Sequence, residues 1–485
     1  MLRPRIPPSQ GLPRLPMPLI AACAALLLAG CAQLPDLGDL PQLKTSDAFQ
    51  SSDALKAPAT EWPVERWWTA YGDPQLTALI DEALADSPDL AAAMARLQRA
   101  EAMTQVAGSA MQPQVGANAS ITEDKLSYNF MTPRVETPQG WNDYGRATLA
   151  FQWEIDFWGK NRSALAAATS EFEAGRAELA QTRLMLASGI AADYAELSRL
   201  HANRETAVKS VKLRRKTADL FVKRFANGLE TRGSAREADA RRAAAEGELL
   251  ALEERIALQR NRIAALLGAG PDRGLRITAP ILKLDHGFGL PSELAVDLLG
   301  RRPDVVAARL QAEAQGSRID QKKAEFYPNV NLLAFVGVQS LGLDMLARSG
   351  SDVGSFGPAI SLPLFTGGRL QGELRGAHAR YAETVANYNG TVARALQEVA
   401  DAAVSQKALG QRLVKAEEAL DAASEAYRLV RSRYEGGLAN YLEVLSAEDG
   451  LLNTLSALTN LRSNSFTLDI ALQRALGGGY QIAQR

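Results

Sequence analysis

Arg146-Ala147-Thr148-Leu149-Ala150-Phe151-Gln152-Trp153-Glu154-Ile155-Asp156-Phe157 alternates over its whole length. Ala147, Leu149, Phe151, Trp153, Ile155 and Phe157 fall on one side. Arg146, Thr148, Gln152, Glu154 and Asp156, with the small Ala150, fall on the other. Successive strand side chains point to opposite faces, so the stretch predicts a strand with one apolar wall and one wet wall. Its length suits a tilted bilayer-crossing strand, which needs about 9–11 residues. From about residue 160 to 226 the chain then reads as one uninterrupted helix. A membrane-sized strand running straight into a very long helix is an unusual pairing, and it occurs twice.

Working outward, three more segments alternate. Val115, Ala117, Ala119 and Ile121 interleave with Gln114, Gly116, Asn118, Ser120 and Thr122. Val330, Leu332, Ala334, Val336 and Val338 share a face, but Leu333 and Phe335 sit on the other, which makes this strand read as the weakest of the four. In the last, Phe356, Ile360, Leu362 and Leu364 share a face with Pro358, which removes a ladder donor. Polar loops near 123–145 and 340–354 separate the strands of each pair.

The helices carry a seven-residue repeat. Leu165, Phe172, Leu179 and Leu186 are seven apart, as are Val385, Val392 and Val399 in a second long helix from about 369 to 434, which also has Leu374, Tyr381 and Tyr388. After turns at Gly228 and Gly437, Leu249, Ile256 and Ile263, and then Leu451, Leu458 and Leu472, keep that spacing. Such spacing predicts left-handed coiled-coil packing, and a helix this long spans roughly 100 Å. An ordinary bundle core would explain the helices but not the strands.

Four short matches recur in the same order. Ser87-Pro88-Asp89-Leu90 answers Arg302-Pro303-Asp304-Val305, and Gln112-Pro113-Gln114-Val115 answers Tyr327-Pro328-Asn329-Val330. Arg-Leu-Gln recurs at 96–98 and 309–311. Arg224-Phe225-Ala226-Asn227-Gly228-Leu229 answers Arg433-Tyr434-Glu435-Gly436-Gly437-Leu438. The chain therefore divides into a first repeat 73–270, a linker 271–290 and a second repeat 291–476, each ordered helix, helix, strand, strand, long helix, helix. A tail, 477–485, begins with three glycines and reads as loose.

Residues 1–30 read as an export leader. Arg3, Arg5 and Arg14 precede an apolar run, Leu19 to Ala29, too short to span a membrane. It ends in Leu28-Ala29-Gly30-Cys31, which resembles a lipobox whose Cys31 takes a diacylglycerol, with palmitate as the accompanying acyl chain. Residues 31–72 then form a tether rich in Pro, Ser and Asp, ending near Trp62, Trp67 and Trp68. Leader removal leaves Cys31 as the sole cysteine, so no internal disulfide forms. With a formal charge of −1, nothing suggests a nucleic-acid partner. His201, His286 and His378 are isolated, and no metal-ligand spacing, phosphate loop or catalytic constellation occurs. The chain is thus read as no enzyme, with no cofactor apart from the lipid on Cys31.

Four strands cannot close a barrel, whose minimum is about eight, and lipid does not tolerate open sheet edges. The chain must therefore oligomerise. Two copies would close eight strands around a filled interior, and three would close twelve around a wet lumen.

Trp67-Trp68, Tyr71-Gly72-Asp73-Pro74-Gln75-Leu76, Ser87-Pro88-Asp89-Leu90, Asp156-Phe157-Trp158-Gly159, Arg301-Arg302-Pro303-Asp304-Val305, Phe326-Tyr327-Pro328 and Leu364-Phe365 with Gly367-Gly368-Arg369 resemble the outer membrane factor (TolC-like) family, in its lipoprotein branch of multidrug efflux channels. The resemblance spans about 65 to 476. It implies a fold that is mainly α with membrane β: a homotrimeric twelve-stranded β-barrel continued by a periplasmic α-helical barrel. It further implies an outer membrane location, a periplasmic adaptor, an inner-membrane efflux pump, and a passive exit duct for drugs or other small toxic compounds. An exit duct for type I protein secretion and a channel-free, lipid-anchored coiled-coil spacer are the alternatives.

In that family the helix turns form the periplasmic gate and the adaptor-docking surface. The resemblance puts Arg433, Tyr434, Gly437, Asn440 and Glu443 at the second turn, and Arg224, Phe225, Gly228 and Ser234 at the first, with Glu230 and Arg232 beside them. Six residues after each turn glycine relatives often carry Asp. Glu443 keeps a carboxylate there, Ser234 does not, and Ala439 replaces a gate Arg seen in some members. The plain alternative is that these polar side chains cap helix ends.

Overall fold

The computed structural model describes residues 34–51, 53–129, 135–284, 289–291 and 294–481. The leader and Cys31 lie outside them, as do the last four residues of the tail. In chain order come α1 (Pro74–Asp86), α2 (Pro88–Ser109), β1 (Gln114–Asp124), β2 (Asn142–Ile155), α3 (Lys160–Ala226) and α4 (Arg232–Leu266). Then follow α5 (Leu294–Arg301), α6 (Pro303–Ala324), β3 (Asn329–Leu341), β4 (Asp352–Ser361), α7 (Arg369–Glu435) and α8 (Tyr441–Ala475). The long helices match in length: α3 and α7 have 67 residues each, α4 and α8 have 35 each. Arg369 stands 209 positions after Lys160, and Tyr441 stands 209 after Arg232.

Two units are distinguished, the first built on 101–171 and 312–384 with the chain up to Pro41, the second on 42–100, 172–311 and 385–485.

The first unit holds a four-stranded antiparallel sheet in the order β1-β2-β3-β4. Register puts Phe151 between Val115 and Ala334, and Ala334 beside Phe356. This apolar wall is open: Val115, Leu149, Val336, Phe356 and Ile360 are all exposed. The opposite wall carries Thr148 and Gln152, and the Arg146 guanidinium lies 5.4 Å from the Phe335 ring centre. That cation–π contact explains how β3 keeps an aromatic on its wet side. β3, the strand with the weakest alternation, forms nonetheless and pairs with β2 over Val330–Leu341 and with β4 over Asn329–Val338. Pro358 lies opposite Leu332 and belongs to β4, the last strand of the sheet within the chain. β2 also starts earlier than the alternation indicates and stops at Ile155. There Asp156 turns the chain by accepting from Asn161 N at 3.1 Å and Arg162 N at 2.8 Å, which caps α3. Beyond β2, Trp158 stacks on Tyr327 and donates to Pro328 O at 2.9 Å.

In the second unit Trp67, Trp68 and Tyr71 are buried with Leu76, Leu79 and Ile80 against Ile190, Tyr194, Leu197 and Ile263. Tyr71 donates to Asp469 at 2.7 Å and Tyr194 to Asp73 at 2.8 Å. Asp73 also caps α1, accepting from Gln75 N at 2.9 Å ahead of Pro74. A second core joins Leu290, Leu294, Leu298, Val392, Val399 and Leu472, with Leu43, Phe49 and Trp62 of the N-terminal segment laid against it.

The loose-tail reading is corrected as far as Gln481. Gly477, Gly478 and Gly479 have φ of 86°, 57° and 85°. Glycine alone adopts these without strain, and a Cβ on Gly477 would lie 2.0 Å from Arg301 O. The three glycines thus allow close backbone packing, and Gly478 N donates to Gln473 O at 2.9 Å.

Candidate functional site at the helix turns

Both α-hairpins reverse in the same way. Gly228 and Gly437 have φ of 72° and 76°. Leu229 N donates to Arg224 O and Leu438 N to Arg433 O, both at 2.8 Å. This is the Schellman closure, for which glycine is preferred. The returning helices are capped by side chains. Thr231 accepts from Ser234 N at 3.1 Å. Asn440 accepts from Glu443 N at 3.0 Å while Glu443 accepts from Asn440 N at 3.1 Å, a complete capping box. Replacing Asn440 by Ala is expected to cost about 1 kcal/mol, read as a small drop in melting temperature with no change in assembly.

Across the two turns, the connection centres on Tyr434. Tyr434 is buried, and its hydroxyl donates to Glu230 at 2.6 Å. The Arg224 guanidinium lies 4.5 Å from the Tyr434 ring centre and donates to Tyr434 O at 3.3 Å. Ser234 Oγ is 2.8 Å from both the second Glu230 oxygen and Thr231 O. Phe221 packs 5.4 Å from Tyr434, centre to centre. Burial and the Glu230 hydrogen bond push the Tyr434 hydroxyl up, so it stays a proton donor. Partial burial pushes the Glu230 carboxyl up, but hydrogen bonds from Tyr434, Ser234 and Thr231 N and the Arg224 charge outweigh it and hold the group below the usual carboxylate range.

Further from the turns lies a second link between the hairpins. Glu448 is fully buried on α8, accepts from Thr217 at 2.6 Å and lies 3.0 Å from Arg214, both on α3. Its neighbour Asp449 binds Arg214 and Arg241 together. Burial pushes Asp449 up, and the hydrogen bonds and charges of the two arginines override it, leaving the carboxyl below its usual range. Carboxylates depressed in the folded state contribute stability above their unfolded pKa and lose it as pH falls through the folded value. Heat stability of the hairpin pair is therefore expected to hold at neutral pH and fall below about pH 4. The slope should flatten in Glu230→Gln.

The structure thus brings Arg224, Tyr434 and Ser234 together through Glu230. It leaves Arg433, whose guanidinium caps Leu438 O at 3.2 Å, Asn440 and Glu443 serving their own turn. Phe225 is exposed. Sequence reasoning offered Glu230 at the first turn without its partner Tyr434, and missed Arg214, Thr217, Arg241, Glu448 and Asp449. One signal was present: Glu448 falls within the apolar stripe Val444, Leu451, Leu458, where a carboxylate needs a buried partner.

The family model described as outer membrane efflux protein matches residues 79–269 and 294–478. The multidrug resistance outer membrane protein MdtP of Escherichia coli O6:H1 is 31% identical over 472 residues, covering 94% of this chain and 95% of the relative. The fusaric acid resistance protein FusA of Burkholderia cepacia is 37% identical over 368 residues, covering 74% of this chain and 69% of that protein. Among solved structures, the outer membrane protein VceC of Vibrio cholerae superposes with a TM-score of 0.83 at 50% identity, covering 87% of this chain and all of VceC. The CmeC outer membrane channel of Campylobacter jejuni shares the fold, with a TM-score of 0.82 at 20% identity over 94% of this chain and 96% of CmeC. With its four-stranded sheet, its paired long hairpins and a family match over both halves, this chain belongs to the outer membrane efflux protein family.

Proposed function

We propose that three copies of this chain join their sheets edge to edge into a twelve-stranded barrel in the outer membrane, and that their helices form a periplasmic duct closed at the turns. Drugs or other small toxic organic compounds leave through it, and the energy comes from an inner-membrane pump reached through a periplasmic adaptor. The observation that carries the reading is the sheet itself. Its apolar wall is bare, and β1 and β4 each leave one edge unpaired within the chain. In lipid such edges must pair, and a second and third copy supply the partners.

The gate is assigned to the Tyr434–Glu230–Arg224 cluster, with Ser234 holding Glu230. Arg433, Asn440 and Glu443 shape the second turn, and Gly228 and Gly437 with Phe225 offer the surface on which an adaptor docks. The halves 73–270 and 291–476 are read as copies of one ancestral unit, 31–72 as the tether and 271–290 as the linker. Acylation of Cys31 holds the N-terminus in the outer membrane.

Purified full-length protein reconstituted in planar bilayers tests the channel. Trimer-sized particles that conduct in discrete steps are expected. A monomer that leaves the bilayer silent would refute the proposal.

A further inference from the structure

The two α-hairpins carry opposite charge at equivalent positions. Residues of the second hairpin lie 209 positions after their counterparts in the first. On α3, Lys209, Lys212, Lys216 and Asp219 are exposed. On α7, the same positions hold Glu418, Asp421, Glu425 and Arg428, also exposed. All four charges are inverted. The contrast extends through both hairpin ends: residues 207–246 hold eleven Lys and Arg against five Asp and Glu, and residues 416–455 hold three against eight.

Helix geometry gathers each set into one stripe. At about 100° per residue the four positions cover about 80° of the helix surface and run about 15 Å along it. The buried faces lie on the far side, where Ala218 and Phe221 of α3 share one core with Tyr427 and Tyr434 of α7. Contacts from α3 to its neighbours leave from other positions: Arg204 and Arg215 reach Glu253 and Glu246 of α4, and Arg214 and Thr217 reach Glu448 of α8. Lys209, Lys212 and Lys216 make no ion pair among the described residues. On α7, Glu418 and Glu425 meet Lys415 and Arg428 of their own helix, exposed contacts that hold little energy. Solubility asks for charge of either sign. It gives no reason for three lysines in register where the sister hairpin has three carboxylates.

We infer that the α3 stripe receives an acidic helical segment of the periplasmic adaptor, and that the α7 stripe repels the same segment. Carboxylates at i, i+3 and i+7 on a partner helix match the spacing of Lys209, Lys212 and Lys216. Shifted to the second hairpin, that helix would meet like charges at every one of these positions, and repulsion of this kind selects between otherwise similar sites. A ring of three chains therefore offers three seats for it among six hairpins. Both statements rest on the proposed trimer and its adaptor.

Full-length variants in cells lacking the gene test this. Lys209→Glu, Lys212→Glu and Lys216→Glu together should leave the trimer and its bilayer conductance unchanged and slow dye efflux by at least about tenfold. Lys209→Arg, Lys212→Arg and Lys216→Arg should keep efflux at the parent rate, because the charge is kept. Adding Glu418→Lys, Asp421→Lys and Glu425→Lys to the reversed chain moves the basic stripe one hairpin over and should recover most of the efflux. Normal efflux from the reversed trimer, or no recovery on exchange, overturns the inference. So does altered ion selectivity in bilayers, which would put the lysines in the lumen. Failure of the unsubstituted gene to support efflux would instead count against the channel proposal.

Discussion

Tyr434→Phe combined with Glu230→Gln is expected to leave the trimer assembled and its duct abnormally open. Phenylalanine keeps the buried ring against Phe221 and under Arg224 but loses the hydroxyl that reaches Glu230 at 2.6 Å. Glutamine keeps the shape of Glu230 and weakens what remains. A hydrogen bond to a charged group contributes about 1.5 kcal/mol at the low end. Three copies would shift the balance between closed and open tips by about 4.5 kcal/mol, or about a thousandfold. Larger bilayer currents and new sensitivity of cells to antibiotics normally too large for the outer membrane are the measures. Unchanged currents in an assembled trimer would remove Tyr434 and Glu230 from the gate. The same pair in Glu443→Gln should have little effect, because Glu443 is occupied in its capping box.

Arg214→Leu is expected to destabilise the hairpin pair by about 3–5 kcal/mol, the usual cost of leaving a buried charge without its partner. Glu448 has no solvent to turn to, and Thr217 offers one hydrogen bond against a full charge. Asp449 keeps Arg241 and is half-buried, so its share of the loss is smaller. Adding Glu448→Leu should recover most of the stability, since replacing both partners by apolar groups of similar size is often close to neutral. Thermal melting of the purified protein separates the cases. Equal melting of the single variant and the parent would mean that the pair carries no load.

Much of this fold is written in local pattern. Period-two alternation at 146–157 marked β2, seven-residue spacing marked the long helices, and Gly228 and Gly437 marked the turns, because each follows from geometry within a few residues. What escaped was pairing at a distance. Glu230 and Tyr434 are 204 positions apart, and Thr217 and Glu448 are 231 apart. No local period records such partners. The three tail glycines read as slack because composition alone does not reveal that Arg301 lies against them. β3 read as weak because Phe335 broke the alternation, and the Arg146 side chain that accommodates it comes from another strand. The residues singled out by resemblance lie near the turns, while the bond joining those turns required the fold.

Dye retention in cells lacking the gene tests the central claim most directly. The deletion is complemented with the unsubstituted gene and with Cys31→Ala, and outer membrane levels are checked. Trapping of dye in the deletion strain and clearance once the gene is restored is the expected result, with Cys31→Ala clearing it in proportion to the protein that reaches the membrane. Equally fast dye loss with and without the gene, in a strain with no other exit channel, would contradict a role in efflux.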